Sequence, residues 1–143
     1  MKKLVRILTL CLATLMLLTA LVSCGAPAKD PDKAVTALEE ADFSATKDTK
    51  IQPAALALLG YKVDAVVSGN KLTTNDDGDI TIDYVIIYYF TDKENAKNAM
   101  AEIEKRANED KEAEDSTSSQ WVAPTRSGSI IYYGTKAAIK AAK

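Results

Sequence analysis

The sequence predicts an α+β fold, a small antiparallel sheet with helices packed on it, and three observations carry that prediction. Residues 79–90 form one long run of β-branched and aromatic side chains, the composition that suits a pleated, packed surface. Directly after it, Thr91-Asp92-Lys93-Glu94 has the Ser/Thr-x-x-Glu form of a capping box, and Ala96, Ala99, Met100, Ile103 and Ala107 then recur at helical spacing. This junction is echoed further on, because residues 86–91 and 130–135 match at an offset of 44 residues. Each reads as a strand running into a Thr-capped helix.

The remaining elements follow in chain order. Asp30 is placed to cap a helix over 31–41, with Pro31 at the first helical position, where its missing N–H costs nothing. Its apolar residues Ala34, Ala37, Leu38 and Ala41 lie on one stripe. A short extended piece is expected over 43–46, then an alanine- and leucine-rich helical turn or two over 53–59 that Gly60 terminates. Over 61–68, Tyr61, Val63, Ala65 and Val67 alternate with polar positions, and only Val66 breaks the pattern of a half-buried strand. Residues 69–78 are polar and hold Asn75-Asp76-Asp77-Gly78, a turn between two strands. An EF-hand reading of that loop fails, since Thr73 and Tyr84 stand where the spacing requires carboxylates.

In the long strand, Ile80, Ile82, Tyr84, Ile86, Tyr88 and Phe90 share one face and are expected to form the core. The capped helix should end near Ala107, with a charged, Ser/Thr-rich solvated loop over 108–120. A last strand is expected over 129–133, and Thr135 caps a final short helix whose Lys140 and Lys143 suit its negative end. Counted from the piece at Phe43, this is a ferredoxin-like βαββαβ order with extra terminal helices, a likeness that implies an antiparallel sheet with two helices on one face. Such a fold does not name a function.

Ahead of the domain, Lys2, Lys3 and Arg6 precede the uncharged stretch 7–23, the charge and hydropathy pattern of a secretory signal. It ends in Leu21-Val22-Ser23-Cys24, which resembles the lipobox of bacterial lipoproteins. The resemblance covers about the first 25 residues and implies lipidation of the Cys24 thiol, cleavage after Ser23, and an outward-facing domain held at the cell membrane by lipid on Cys24. Residues 24–30 then read as a lipidated tether and 31–143 as a single domain. Six extended residues would let the domain start within about 20 Å of the bilayer. The mature domain resembles the small alanine- and lysine-rich Gram-positive lipoproteins of unknown function, through Tyr132-Tyr133-Gly134-Thr135-Lys136 and its size. That likeness transfers no active-site residue.

Removing the signal takes three of the 18 basic residues and none of the 20 acidic ones, leaving 15 against 20 and a net charge of −5. An acidic domain is repelled by phosphate backbones and anionic headgroups, so no nucleic-acid partner is expected and the surface should stand off the bilayer with no basic patch assisting. Cys11 leaves with the signal, Cys24 is consumed by lipid, and the chain has no histidine. Disulfides, thiol nucleophiles, zinc sites and Ser-His-Asp triads are therefore excluded by inventory, and no cofactor or metal is expected.

Two functional classes remain. The first is a non-catalytic, monomeric interaction module that binds another envelope protein or a small ligand. The alternative is a small carboxylate-dependent hydrolase of the cell envelope, which would need a pair such as Asp64 and Asp83 facing one another across the hairpin. The odd positions Val85, Ile87 and Tyr89 are apolar opposite an already apolar face and need a cover. Either a terminal helix supplies it through Ala138, Ile139 and Ala142, or these residues form an exposed partner face together with Tyr133.

Overall fold

The computed structural model describes residues 25–113 and 120–143; the signal, Cys24 and residues 114–119 of the expected loop lie outside them. Helix α1 spans Pro31–Glu40, β1 Ser44–Asp48, α2 Ile51–Ala57, β2 Val63–Thr74, β3 Ile80–Phe90, α3 Lys93–Ala113, β4 Trp121–Ser127, β5 Ile130–Thr135 and α4 Lys136–Ala141. The expected α+β architecture is present: five strands in the order β1-β2-β3-β5-β4, antiparallel at every neighbouring pair, with four helices packed against them. Among the described residues no helix is long and apolar enough to cross a membrane.

The βαββαβ order of elements is recovered with one strand more than expected. The pairing, however, differs between the two halves. Strands β1 and β2 are direct antiparallel neighbours although α2 connects them, whereas β3 and β4 run parallel with β5 inserted between them and α3 as the crossover. Strand β4 escapes sequence reading because Pro124 sits inside it, which suits only an edge strand or a bulge. It is both here: β4 lies at the sheet edge, and its register with β5 shifts between Val122 and Thr125.

Helices cover both faces of the sheet rather than one. Ala34 and Leu38 of α1, with Ala138 and Ile139 of α4, pack on Ala65, Val67, Val85, Ile87 and Tyr89. Leu56 of α2 and the Ala96, Ala99, Ile103 and Ala107 stripe of α3 pack on Val66, Tyr84, Tyr88, Phe90, Ile131 and Tyr133. Double coverage explains why β3 from Tyr84 onward, and β5 from Ile130 to Tyr133, read as continuous apolar runs. It also explains Val66. The apparent alternation of Tyr61, Val63, Ala65 and Val67 is split by a bulge between Val63 and Ala65, so Tyr61 and Val63 join the α2/α3 face while Ala65 and Val67 join the other.

The helix ends follow local chemistry. Asp30 accepts from the N–H groups of Asp32 and Lys33, at 2.8 and 3.4 Å, and starts α1 as expected. At α3 the cap belongs to Asp92, whose carboxylate accepts from Asn95 N at 2.8 Å, while the Thr91 N–H donates to Lys62 O. A cap missed in the sequence is Asp48, which accepts from the N–H groups of Lys50, Ile51 and Gln52 and so opens α2. These backbone donors, Gln52 foremost, hold the Asp48 carboxyl below the usual carboxylate range. Gly60, at φ +89°, ends that segment. Helix α3 runs six residues beyond Ala107, so residues 108–113 are helical rather than loop.

The tether reading also changes. Pro27 is buried, Ala26 and Ala28 pack against the α1/α4 core, Ala28 N donates to Ala142 O at 2.8 Å, and the Tyr89 hydroxyl donates to Ala28 O at 2.8 Å. Residues 26–28 are part of the domain.

Candidate functional site

The four residues expected as a partner face do not form one. Val85, Ile87 and Tyr89 are buried beneath α1 and α4, with Ala138, Ile139 and Ala142 as the cover. Tyr133 is buried on the opposite face, because β5 pairs with β3 in the register Ile86↔Tyr133, which puts it with the even-numbered side chains. Nor do the two candidate catalytic carboxylates meet. Asp83 pairs with Lys71, while Asp64 lies at the bulge beside Tyr89 and Phe90. Six to seven residues of strand, about 20 Å, separate their positions.

Under α3 lies a row of polar aromatic contacts. The Tyr133 hydroxyl donates to the Asp110 carboxylate, Tyr133 and Tyr88 have ring centroids 6.4 Å apart, and Trp121 Nε1 donates to the Tyr84 hydroxyl at 3.0 Å. Lys111 lies 4.6 Å over the Trp121 ring, and Arg106 pairs with Glu102 on the same helix at 2.9 Å. Burial pushes the Tyr133 phenol far above its ordinary value, and the Tyr88 and Asp110 side chains add to the shift. Burial likewise raises Tyr88 and Tyr89. Phenols that keep their protons are donors and packing groups, not nucleophiles. The row ties the last turns of α3 to β5.

A pH dependence follows from these shifts. The unfolded chain ionises its tyrosines near pH 10, whereas the folded chain retains the protons of Tyr88, Tyr89 and Tyr133. Their contribution is therefore fully present below about pH 10 and declines above it, by up to about 1.4 kcal/mol per pH unit for each phenol. Thermal melts across the alkaline range should show a plateau and then a steep fall. Tyrosinate absorbance appearing for all six tyrosines while the protein is still folded would contradict this.

What the structure leaves open is the far end of the β2–β3 hairpin. Strand β1 pairs with β2 over residues 66–70, and β5 pairs with β3 over residues 85–89. Beyond those limits the ribbon formed by residues 71–74 and 80–83 is bordered by no other strand among the described residues. The turn at its tip is built by Asn75, whose side chain accepts from Asp77 N and Asp79 N at 3.1 and 2.8 Å, and whose backbone exchanges bonds with Gly78 and Asp79. Among the described residues no group of three His, Cys, Asp or Glu side chains could hold a metal ion.

One side of this ribbon is polar. Lys71 donates to Ala41 O at 3.0 Å and sits 5.6 Å from the Phe43 ring centroid, and the Thr81 hydroxyl donates to Thr73 O. The other side is an exposed apolar ladder. Leu72 faces Ile82 directly and Ile80 faces Thr74, with Leu72 69 % and Ile80 64 % exposed and Ile82 also open to solvent. Ile80 and Ile82 therefore are not core, contrary to expectation. The physical reason is the path of α3, whose last turns reach Tyr133 and Trp121 on the β5–β4 side and leave the tip of β2–β3 uncovered.

Alternation along β3 had already singled out Ile80 and Ile82, but on the wrong side of the balance between core and surface. Leu72 could have been found from its place opposite Ile82 once the hairpin register is fixed by the Asn75 turn. Comparison with known proteins finds no match: no family model, no curated protein and no solved structure is significantly similar to the chain.

Proposed function

We propose that the protein is a lipid-anchored lipoprotein of the cell membrane, facing outward, whose domain is a non-catalytic interaction module that presents the β2–β3 hairpin to another envelope protein. The observation that carries this reading is the exposed ladder of Leu72, Ile80 and Ile82 on a ribbon that no other strand borders among the described residues. An isolated two-stranded ribbon is marginal in water, and three large apolar side chains on its surface cost solubility without adding to the core. Both features are accounted for if a partner covers the ladder. The hairpin also lies at the opposite end of the sheet from Ala28, through which the chain enters the domain. An anchor at Cys24 would thus leave the hairpin outermost.

The hydrolase alternative gains nothing from the geometry, since Asp64 and Asp83 lie apart and the buried phenols keep their protons.

A photo-cross-linking side chain placed at position 80 in cells should yield a discrete protein adduct, whereas the same group at the exposed Thr36 of α1 should not. Changing Leu72 and Ile82 to Ser should remove the adduct and leave the melting temperature within a few degrees of wild type, because exposed positions contribute within about 0.5 kcal/mol each. Equal adducts from positions 80 and 36, or none from either, would sink the docking role of the hairpin.

A further inference from the structure

A net charge of −5 predicts a domain that stands off anionic headgroups, but the charge is unevenly distributed. Asp76, Asp77 and Asp79 cluster at the hairpin tip. At the opposite end of the sheet, Lys62 N donates to Asn95 Oδ1, Lys62 O accepts from Thr91 N, and Phe90 N donates to Ser129 O. A surface cleft there is lined by Lys29 and Lys93 with Ser127, Gly128 and Ser129. Lys29 directly follows Ala28, which is docked on Tyr89 and Ala142. Of the carboxylates at this end, Asp30, Asp48 and Asp92 each accept backbone N–H groups at the start of α1, α2 and α3, while Asp64 and Glu94 are exposed among the lysines.

Helix α2 belongs to the same end, entering beside Asp48 and leaving through Gly60 to Lys62. No charged residue stands between Lys50 and Lys62. Pro53 and Leu56 face the core, while Ile51, Ala54, Ala55 and Leu58 form an outward stripe at helical spacing. Ile51 is 79 % and Leu58 89 % exposed, and Leu59 is exposed beside them. A surface helix ordinarily turns polar residues to water. This one turns none on that stripe, and lysines flank it on either side.

We propose that this end of the domain is a membrane seat, with Ile51, Leu58 and Leu59 in the boundary between headgroups and acyl chains and Lys29, Lys50, Lys62 and Lys93 on anionic headgroups. The inference rests on lipid anchoring at Cys24 and deepens it. With Ala26–Ala28 docked on the domain, a single residue, Gly25, and about 7 Å of chain separate Cys24 from Ala26. An apolar helix buried about 5–10 Å into the interface is then within reach. A second attachment beside the acyl chains would fix the domain's orientation, with the strands standing on the bilayer and the hairpin tip about 30 Å away.

The test uses the full chain purified with its lipid and reconstituted into vesicles of phosphatidylcholine, with or without phosphatidylglycerol, followed by lysine acetylation read by mass spectrometry. Lys50, Lys62 and Lys93 should be modified several-fold more slowly on the anionic vesicles than on the neutral ones, while Lys105 on the exposed side of α3 is unchanged. High salt should abolish the difference. The Leu58→Glu, Leu59→Glu variant, altered only at exposed positions, should lose the protection and keep its melting temperature. Equal rates on both vesicles overturn the seat alone. Protection that instead follows protein concentration in detergent, without lipid, assigns the patch to a second copy and also overturns it. Failure to enter either vesicle overturns the anchoring reading and the seat together.

Discussion

Changing Ile87 to Lys is expected to cost about 4 kcal/mol or more and to leave a chain with no cooperative thermal transition near that of wild type. Ile87 has no exposed surface. It lies in the centre of the α1/α4 face, between Val67 of β2 and Tyr132 of β5 on either side, with Ala138 and Ile139 of α4 in the same cluster. A lysine there either buries an unpaired ammonium, gives up its proton to avoid doing so, or forces α4 off the sheet. Each route costs several kcal/mol, a large part of the 5–15 kcal/mol that holds a typical domain together. Circular dichroism melts of the purified variant measure it. Retention of wild-type stability would mean that the odd-numbered face is open and that α4 does not cover it.

Gly134→Ala is expected to be comparably damaging, at about 3 kcal/mol or more, although it adds a single methyl group. Gly134 sits at φ +136°, a conformation that side-chain-bearing residues rarely adopt. A Cβ there would lie 2.1 Å from Tyr84 O and 2.8 Å from Val85 Cα. Both obstacles are backbone, so no rotamer change relieves the clash. The β3–β5 pairing must open instead, and strain at special backbone positions is among the few causes of very large single-mutation effects. The opposite flank of Val85 is also glycine: at Gly69 a Cβ would meet Leu38 Cδ1 at 2.9 Å. That contact is the end of a flexible side chain. Gly69→Ala should therefore be much milder than Gly134→Ala, and equal losses in a paired melting experiment would contradict this account of the two glycines that flank Val85.

The parts of this fold that were legible are those encoded within a few residues. Asp30 and Pro31 mark the start of α1, the alanine stripe from Ala96 to Ala107 marks α3, and Thr135 caps α4, its hydroxyl accepting from Ala138 N. What was illegible depends on partners distant in sequence. Asn70, Lys71, Thr73 and Thr74 read as loop because they are polar, yet they are strand because β3 pairs with them. Tyr133 looked like a companion of Val85 and Ile87 until cross-strand register placed it with Ile86. The bulge at Asp64 exchanges faces within one strand, which counting by twos cannot reveal.

The candidate site was half visible for the same reason. Ile80 and Ile82 stand out as apolar at alternate positions, but whether they are core depends on where α3 ends and which strands it lies over. That path is set by contacts of Asp110 with Tyr133 and of Lys111 with Trp121, over the β5–β4 side of the same face. The apolar outward stripe of α2 was hidden differently. Its alanines and leucines suit a buried helix equally well, and only the exposure of Ile51 and Leu58 separates the two.

The outward-facing module and its membrane seat both require the chain to be held at a membrane through Cys24, and one labelling experiment addresses that directly. Cells expressing the wild-type chain or Cys24→Ser are grown with a radiolabelled fatty acid, and the protein is recovered and sized. The wild type should carry the label and migrate as the shorter species cut after Ser23, whereas Cys24→Ser should remain unlabelled and at precursor length, because both lipidation and cleavage depend on that thiol. Label retained by the Cys24→Ser protein, or a wild-type protein that is cut without carrying label, would contradict the account.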